Sequence, residues 1–478
     1  MSSVLPPLAV DLDRTLIRTD SLVEGFLQGL FRHPRKALHA LTALRNGRAA
    51  FKRAVTSAVV LDASHLLFNE EVLDYLRDQH RHGRELHLVT AADQSVADLV
   101  AAKTGMFASA VGSNPEVNLK GPHKLSFLEG RFPDGFSYAG DSTADLVIWR
   151  KARSAVLVGV GDSTRRAVAA MGCDIELDLA TEHRGLHDWL RLMRVHQWSK
   201  NLLLFVPLVL GHAFLNLTAV VSVIVGFVAM SLAASGTYIF NDISDIASDR
   251  LHPTKRSRPI ARGAIDAGPA FGVAVLLIGV GLALMAARSL PAAGLLVAYL
   301  AISLSYSSFL KRLAILDIFV LGGLYTLRIL MGGYLAGAAP SHWLVMFSFF
   351  FFFSLSLAKR HVEIANAKRA TTEDVSVIGR GYRTSDAPLT LALGVSTSLL
   401  SVLIFSLYIA NDMYPRGLYH HPQWLWGDVI LVMMWSSRIW LFSHRGELDD
   451  DPVSFALRDP PSLLMGLAAA VVLVLAAT

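Results

Sequence analysis

Two groups of carboxylates are spaced for work on phosphate. The first is Asp11 and Asp13, within Val10-Asp11-Leu12-Asp13-Arg14-Thr15-Leu16, after a short apolar run. A strand ending here puts both acids at its carboxyl end, the usual ligand position in open α/β sheets. Residues 86–90 read as a second strand, ending in the hydroxyl of Thr90, and 136–141 as a third, ending in Asp141. Asp145 lies one helical turn further on, and Lys120 and Lys124 stand between those strands. A dianionic phosphate must be neutralised by a cation and donors before a carboxylate can approach it. Acids, hydroxyl and lysine together therefore suit phosphoryl chemistry, whereas isolated aspartates commonly do no more than cap turns and helices.

The second group is Asp242, Asp245 and Asp249, in Tyr238-Ile239-Phe240-Asn241-Asp242-Ile243-Ser244-Asp245-Ile246-Ala247-Ser248-Asp249-Arg250. Spacings of three and four put these acids on one helix face. They repel one another and oppose the dipole at a helix carboxyl end, so cations must compensate. Mg²⁺ does this when it bridges one or two carboxylates to substrate phosphates. His252, Lys255, Arg256 and Arg258 follow at once, ahead of Pro259. Metal-binding acids followed by phosphate-binding bases point to a diphosphate site.

The two groups need different scaffolds, and the composition supplies them. The 478-residue chain is 53% hydrophobic and 17% charged, with a mean hydropathy of +0.44. Residues 1 to about 190 carry a globular mixture, and the remainder is a series of apolar blocks, which marks a two-domain chain. A hydrocarbon core about 30 Å thick needs roughly 20 apolar residues per spanning helix. The spans expected, about nine of them, are 199–216, 219–241, 266–287, 291–309, 314–336, 341–359, 388–410, 424–442 and 462–477. The Phe349 to Phe353 run within one of them reads as lipid-facing packing.

With the amino end inside, the inner connections hold fifteen Lys and Arg and the outer ones only Arg288 and Arg416, as the positive-inside rule requires. Since no apolar leader opens the chain, the soluble part is expected in the cytoplasm of a multi-pass protein of a bacterial-type inner (plasma) membrane. The net charge of +5 then describes an inner membrane face rather than a nucleic-acid binder. A homo-oligomer stays open. Cys173, the only cysteine, excludes an internal disulfide and a multi-cysteine zinc site.

The soluble motifs, Asp11-Leu12-Asp13-Arg14-Thr15, Thr90, Lys120-Gly121 and Gly140-Asp141-Ser142-Thr143-Ala144-Asp145, resemble in type and order the haloacid-dehalogenase-like superfamily. The resemblance implies a Rossmann-like α/β phosphatase domain over 1–185, with a helical cap at about 20–80. It implies Asp11 as nucleophile and Asp13 as general acid/base, Thr90 and Lys120 on the phosphoryl oxygens with Lys124 as rival, and Asp11, Asp13, Asp141 and Asp145 around Mg²⁺. Arg32, Arg35, Lys36, Arg45, Arg48, Lys52 and Arg53 in the cap form a basic run without acids, read either as a solvated face or as a contact for an anionic membrane surface.

Residues 186–478 resemble the UbiA-like intramembrane prenyltransferases, an all-α polytopic bundle, with the Asp242 to Asp249 stretch as their first aspartate-rich motif. Where most members carry a second such motif, this chain has Lys359-Arg360-His361-Val362-Glu363. That segment, the 194–201 stretch, Tyr306, Lys311, Asp317 and Arg328 are similar to the polyprenyl-phosphate phosphoribosyltransferase branch, typified by the decaprenyl-phosphate enzyme of cell-wall biosynthesis. The resemblance implies a phosphoribosyl pyrophosphate donor and a polyprenyl phosphate acceptor. Asn241, Asp242, Asp245 and Asp249 would hold Mg²⁺, with Asp242 and Asp245 catalytic. Lys200, Asn201, Lys255, Arg256, Arg258, Tyr306, Lys311, Arg328, Lys359 and Arg360 would bind substrate. The soluble half is then expected to remove the 5-phosphate. Prenyl transfer from a prenyl diphosphate to an aromatic or other acceptor is one alternative, and a membrane-anchored phosphatase with a lipid-binding or transport bundle is another.

Overall fold

Leu8, Ala9 and Val10 are fully buried, the pattern of a strand covered on both faces. They form β1 (Leu8–Val10), which pairs in parallel with both of its neighbours. In the computed structural model, which describes residues 5–58, 66–114, 116–180, 185–370, 373–377, 379–417, 419–448 and 452–478, three helices follow: α1 (Ser21–Arg32), α2 (Pro34–Thr42) and α3 (Arg48–Ala58). The Asp20 carboxylate caps α1 by accepting the Val23 N–H at 3.0 Å. Then come α4 (Glu70–Arg81), β2 (Leu86–Asp93), α5 (Gln94–Thr104), β3 (Ser109–Ser113), α6 (Pro122–Arg131), β4 (Ser137–Gly140), α7 (Leu146–Trp149), β5 (Ser154–Val158), α8 (Asp162–Ala170) and β6 (Asp174–Leu179).

The six parallel strands run in the order β3-β2-β1-β4-β5-β6. Helices cover both faces: Val72, Leu76, Val96 and Val100 pack on one, Leu128, Trp149 and Val168 on the other. This is a doubly wound sheet whose order reverses at β1, and such sheets bind ligands at the reversal. Of the stretch expected as a cap, α1, α2 and α3 lie within 21–58, and 59–65 falls outside the described residues. α4 belongs to the sheet instead, because Val72, Leu73 and Leu76 lie on one helical face and are buried against the strands.

α9 (Leu186–Leu192), an irregular tight-helical run over Val195–Phe205 and α10 (Val206–Leu210) lead to α11 (Leu217–Ser244) and α12 (Ile246–Leu251). The remaining helices are α13 (Ala267–Arg288), α14 (Leu290–Ser308), α15 (Leu316–Ala336), α16 (His342–Ala370), α17 (Ala387–Tyr408), α18 (Tyr414–Arg416), α19 (Trp426–Arg445), α20 (Pro452–Ala456) and α21 (Pro460–Ala477). The chain forms two compact units, Met1–Met193 with Tyr238–Ala274, and Arg194–Thr237 with Val275–Thr478. The segment carrying the second acid group, placed with the bundle by the sequence boundary at 185, thus compacts with the sheet. Arg250 grips Glu24 through two hydrogen bonds of 2.7 and 3.0 Å, and Arg262 pairs with Asp188.

Among the described residues eight helices are long and apolar enough to cross a membrane, against about nine expected. They carry exposed apolar side chains such as Leu276, Ile430, Leu464 and Leu467, each more than 60% accessible, which only a hydrocarbon surround tolerates in quantity. The chain is a multi-pass membrane protein. The missing span is 199–216. Pro207 has no N–H to offer, and His212 adopts a left-handed backbone, φ 52, so no continuous helix forms. The run still lies antiparallel to α11: Trp198 donates to Ser235 at 3.0 Å, Asn201 to Ser231 at 3.0 Å, and the Phe205 and Phe227 rings are 5.9 Å apart. The phenylalanine run, expected to face lipid, packs inward instead, with Phe352 stacked on Tyr325 at 4.5 Å and Phe353 buried.

Candidate active site

β1 ends at Val10 and β4 at Gly140, so Asp11 and Asp141 leave the sheet side by side at the reversal of strand order. Asp11, Asp141 and Asp145 each offer an oxygen, and these atoms all lie within 4.8 Å of one another. A Cβ on Gly140 would stand 2.8 Å from an Asp145 carboxylate oxygen, so glycine is needed for Asp145 to reach the group. Asp145 is held there by the Tyr138 hydroxyl at 3.0 Å, the Ser142 hydroxyl at 3.1 Å and the Ser142 N–H at 3.2 Å. Burial, with the Asp11 and Asp145 charges next, pushes the Asp141 carboxyl up to about 8 against the pull of Arg14 and Lys124. Burial and Asp11 raise Asp145 too. Hard oxygen donors crowded in this way fit Mg²⁺.

Lys124, buried, sets its Nζ 3.0 Å from Asp11 and donates to the Tyr138 hydroxyl at 2.9 Å. The other lysine, Lys120, is exposed. A residue just before α6 points outward, whereas one on the helix's first turn points at β1 and β4. Asp13, expected with the metal ligands, stands apart from that group and accepts the Ser21 N–H at 2.8 Å. Burial, then the Asp20 charge, push it up to about 7, with Asp11 adding and the Ser21 hydrogen bonds opposing. Thr90 is buried inside β2, not at its end, and its hydroxyl accepts the Ala92 N–H at 3.0 Å.

Lys52 was legible only as one base of the cap's basic run. From α3 it donates to the Ala91 carbonyl at 2.5 Å and to Asn118 at 2.8 Å. Burial lowers its pKa, Asp13 opposes, and Lys120 and Lys124 add to the shift, so it belongs to the charge cluster around Asp13. Arg35, Lys36, Arg45 and Arg48 are exposed, and Arg53 lies 3.9 Å from Asp93.

α11 stops at Ser244 and α12 starts at Ile246, with Asp245 as the break. Asp242 and Asp249 are both buried and converge on Arg258, whose Nη1 donates to them at 3.1 and 2.6 Å. Burial raises the Asp249 carboxyl, with Arg258 opposing and Asp242 and Asp245 adding. Arg258, expected on phosphate, therefore sits between two acids expected on a cation. Asp245 and Asn241 are half-buried beside them, and Lys255 and Arg256 are exposed on the following turn.

In the second unit two arginines are already committed to internal partners. Arg328 donates to Asn201 at 3.0 Å, the Leu324 carbonyl at 2.6 Å and the Tyr299 hydroxyl at 2.9 Å. Both Arg328 and Asn201 thus tie the irregular run to α14 and α15. Arg360, 1% exposed, pairs with Asp317 at 2.9 Å and with Glu363, for a charge this deep is tolerated only with a partner. Tyr382 donates to Asp317 at 2.7 Å and accepts the Ile315 N–H at 2.7 Å. Arg380, which the sequence reading missed, lies 3.4 Å from Glu363 and donates to Tyr306 at 3.3 Å. Lys200, Lys311 and Lys359 are half-buried.

Residues 204–476 match the UbiA prenyltransferase family. The chain belongs to this family. Protein y4nM of Sinorhizobium fredii is similar to this chain through both the sheet and the helical bundle: 43% identical over 462 residues, 96% of this chain and 89% of that one. The decaprenyl-phosphate phosphoribosyltransferase of Corynebacterium glutamicum is 36% identical over 179 residues, 37% of this chain and 54% of its own length. A UbiA homolog from Archaeoglobus fulgidus, whose structure has GPP and Mg²⁺ bound, aligns with a TM-score of 0.44 and 16% identity over 60% of this chain and 98% of that one.

Proposed function

We propose that this UbiA-family chain transfers 5-phosphoribose from phosphoribosyl pyrophosphate to a polyprenyl phosphate at a bacterial inner membrane, and that a haloacid-dehalogenase-like soluble domain then removes the 5-phosphate on the cytoplasmic side. The observation that carries the reading is the placement of acids and bases. One loop offers buried acids, Asp242 and Asp249, and where most relatives bear a second aspartate-rich motif this chain has Arg360 closed by Asp317 and Glu363. Bases in place of the second acid-rich motif suit an anionic acceptor, with Lys359 half-buried and Lys255 and Arg256 exposed. The similarity to decaprenyl-phosphate phosphoribosyltransferases supports the same substrates.

In the transfer, an oxygen of the lipid phosphate forms a bond to C1 of the ribose. The C1–O bond to pyrophosphate breaks, and pyrophosphate leaves with the electron pair. Mg²⁺, when bound by Asp242, Asp249 and Asp245, would stabilise that leaving charge. Arg258 is placed to exchange its two carboxylates for pyrophosphate oxygens, with Lys255 and Arg256 beside it. In the hydrolysis, Asp11 attacks phosphorus while Asp13 protonates the departing C5 oxygen. Water then attacks the aspartyl-phosphate, returns a proton to Asp13 and releases inorganic phosphate. Lys124 balances the phosphoryl charge, and Asp141 and Asp145 with Asp11 would hold Mg²⁺.

Purified protein in lipid vesicles, given decaprenyl phosphate with either labelled phosphoribosyl pyrophosphate or a labelled prenyl diphosphate, is expected to release pyrophosphate only from the former. Mass spectrometry should find a ribosylated lipid phosphate, and Asp242→Asn should lose it. Turnover of the prenyl diphosphate instead establishes prenyl transfer, and no turnover of either leaves the membrane-anchored phosphatase.

A further inference from the structure

The first unit contains a cleft of about 150 Å³ next to the three clustered carboxylates. Asp141 lies in its wall, together with Arg14, Arg18, Asn69, Gly263 and Ala264, and the exposed Glu71. A phosphomonoester whose phosphorus sits at Asp11 must send its organic part away from the acids, and this cleft opens directly beside Asp141.

Its walls are built for that place. Arg14 directly follows the Asp11-Leu12-Asp13 motif with a left-handed backbone, φ 58, a conformation that side-chain-bearing residues rarely adopt and that tends to persist where function holds it. Its guanidinium, 46% exposed, reaches to 3.5 Å from Asp266 and acts on Asp141. Gly263, in the same lining, has φ +77, and a Cβ there would stand 2.7 Å from the Leu67 side chain and 3.3 Å from the Arg18 Cβ, so its loop approaches that closely only because glycine occupies the position. Arg14 and Arg18 both line this wall, and a guanidinium takes a phosphate through paired N–H···O bonds, a geometry that a sugar hydroxyl does not match.

We propose that Arg14 and Arg18 form a subsite for a second phosphate, so that the soluble unit selects pentoses phosphorylated at both ends over simple monoesters. The proposal rests on the phosphatase reading above and deepens it. The lipid product of the transfer has this character, a monoester at C5 and a diester at C1 of one ring.

The test compares ribose 1,5-bisphosphate with ribose 5-phosphate on the full chain in detergent with Mg²⁺. Binding to Asp11→Asn, read by isothermal titration, should be at least tenfold tighter for the bisphosphate. In chains retaining Asp11, kcat/KM should favour the bisphosphate similarly, mainly through KM. Arg14→Gln with Arg18→Gln should bring both ratios to within twofold of one, and Arg18→Lys should restore part of the preference. Equal binding of the two sugars, or a preference untouched by the arginine changes, overturns the subsite. Preferential binding with no hydrolysis of either sugar or of p-nitrophenyl phosphate overturns the phosphatase reading and leaves the subsite standing.

Discussion

Lys124 puts a positive charge 3.0 Å from the carboxylate proposed to attack phosphorus, and the phosphate that arrives there brings two negative charges. A charge-assisted contact of this kind contributes about 1.5–3 kcal/mol. Lys124→Met should therefore slow phosphomonoester hydrolysis by roughly 10- to 100-fold, while Lys120→Met, at an exposed position, should stay within about threefold. Phosphate release by the two variants decides between the lysines, and the reverse order of damage would return the role to Lys120. Asp13 makes a second prediction. As an acid raised to about 7, it is protonated below neutrality and able to give its proton to a leaving oxygen. Phosphoryl transfer to Asp11 in a single turnover should be level below about pH 7 and fall about tenfold per unit above it. Asp20 is the charge that adds most to this shift after burial. Asp20→Asn, which still caps α1, should move the bend to lower pH, and an unmoved bend would take the proton donation away from Asp13.

At the scale of elements, periodicity and spacing reached far in the sheet-bearing half. Val10 before Asp11 and Gly140 before Asp141 announced strand ends with acids on them, and both strands are there side by side. Spacing alone could not separate Lys120 from Lys124, since either lies within a turn of α6 and only the helix's phase against β1 and β4 decides. Lys52 was hidden for a related reason: a base in a basic run has no local mark, and only the fold of α3 brings it to Asp13. In the bundle, hydropathy located eight helices but read 199–216 as a ninth, because a window average does not register Pro207 or the turn at His212. What holds that run is backbone proximity. A Cβ on Gly332 would stand 2.2 Å from the Leu204 carbonyl oxygen, whereas one on Gly323, on the same helix, meets nothing within 4 Å. Gly332→Ala should therefore destabilise the detergent-solubilised protein by about 1–3 kcal/mol, and Gly323→Ala should leave it unchanged or raise it by up to about 1 kcal/mol. Thermal unfolding midpoints that shift equally for the two would mean the run is not packed as described. The pairing of Arg328 with Asn201 was hidden for the same reason, since a buried arginine in a span must have a partner and the sequence does not say which group supplies it.

At the scale of the whole molecule, the two proposed chemistries are consecutive by their own logic. Transfer from a 5-phosphorylated donor leaves a phosphomonoester on the lipid-linked sugar, and hydrolysis of a phosphomonoester is what the Asp11, Asp13, Lys124 and Asp141 set is suited to do. The compact units reflect the same order: residues 238–274, which hold the metal-binding acids proposed for the transfer, compact with the sheet that holds Asp11. Arg250 and Arg262 fasten that segment through Glu24 and Asp188. If the steps are consecutive, the parent protein given labelled phosphoribosyl pyrophosphate and decaprenyl phosphate should show the phosphorylated lipid only transiently, with the dephosphorylated lipid and inorganic phosphate rising together. Asp11→Asn should release pyrophosphate at the parent rate yet accumulate the phosphorylated lipid alone, and Asp242→Asn should make neither lipid. Identical lipid products from the parent and Asp11→Asn would separate the two activities, because a nucleophile whose loss changes no product has no part in making it.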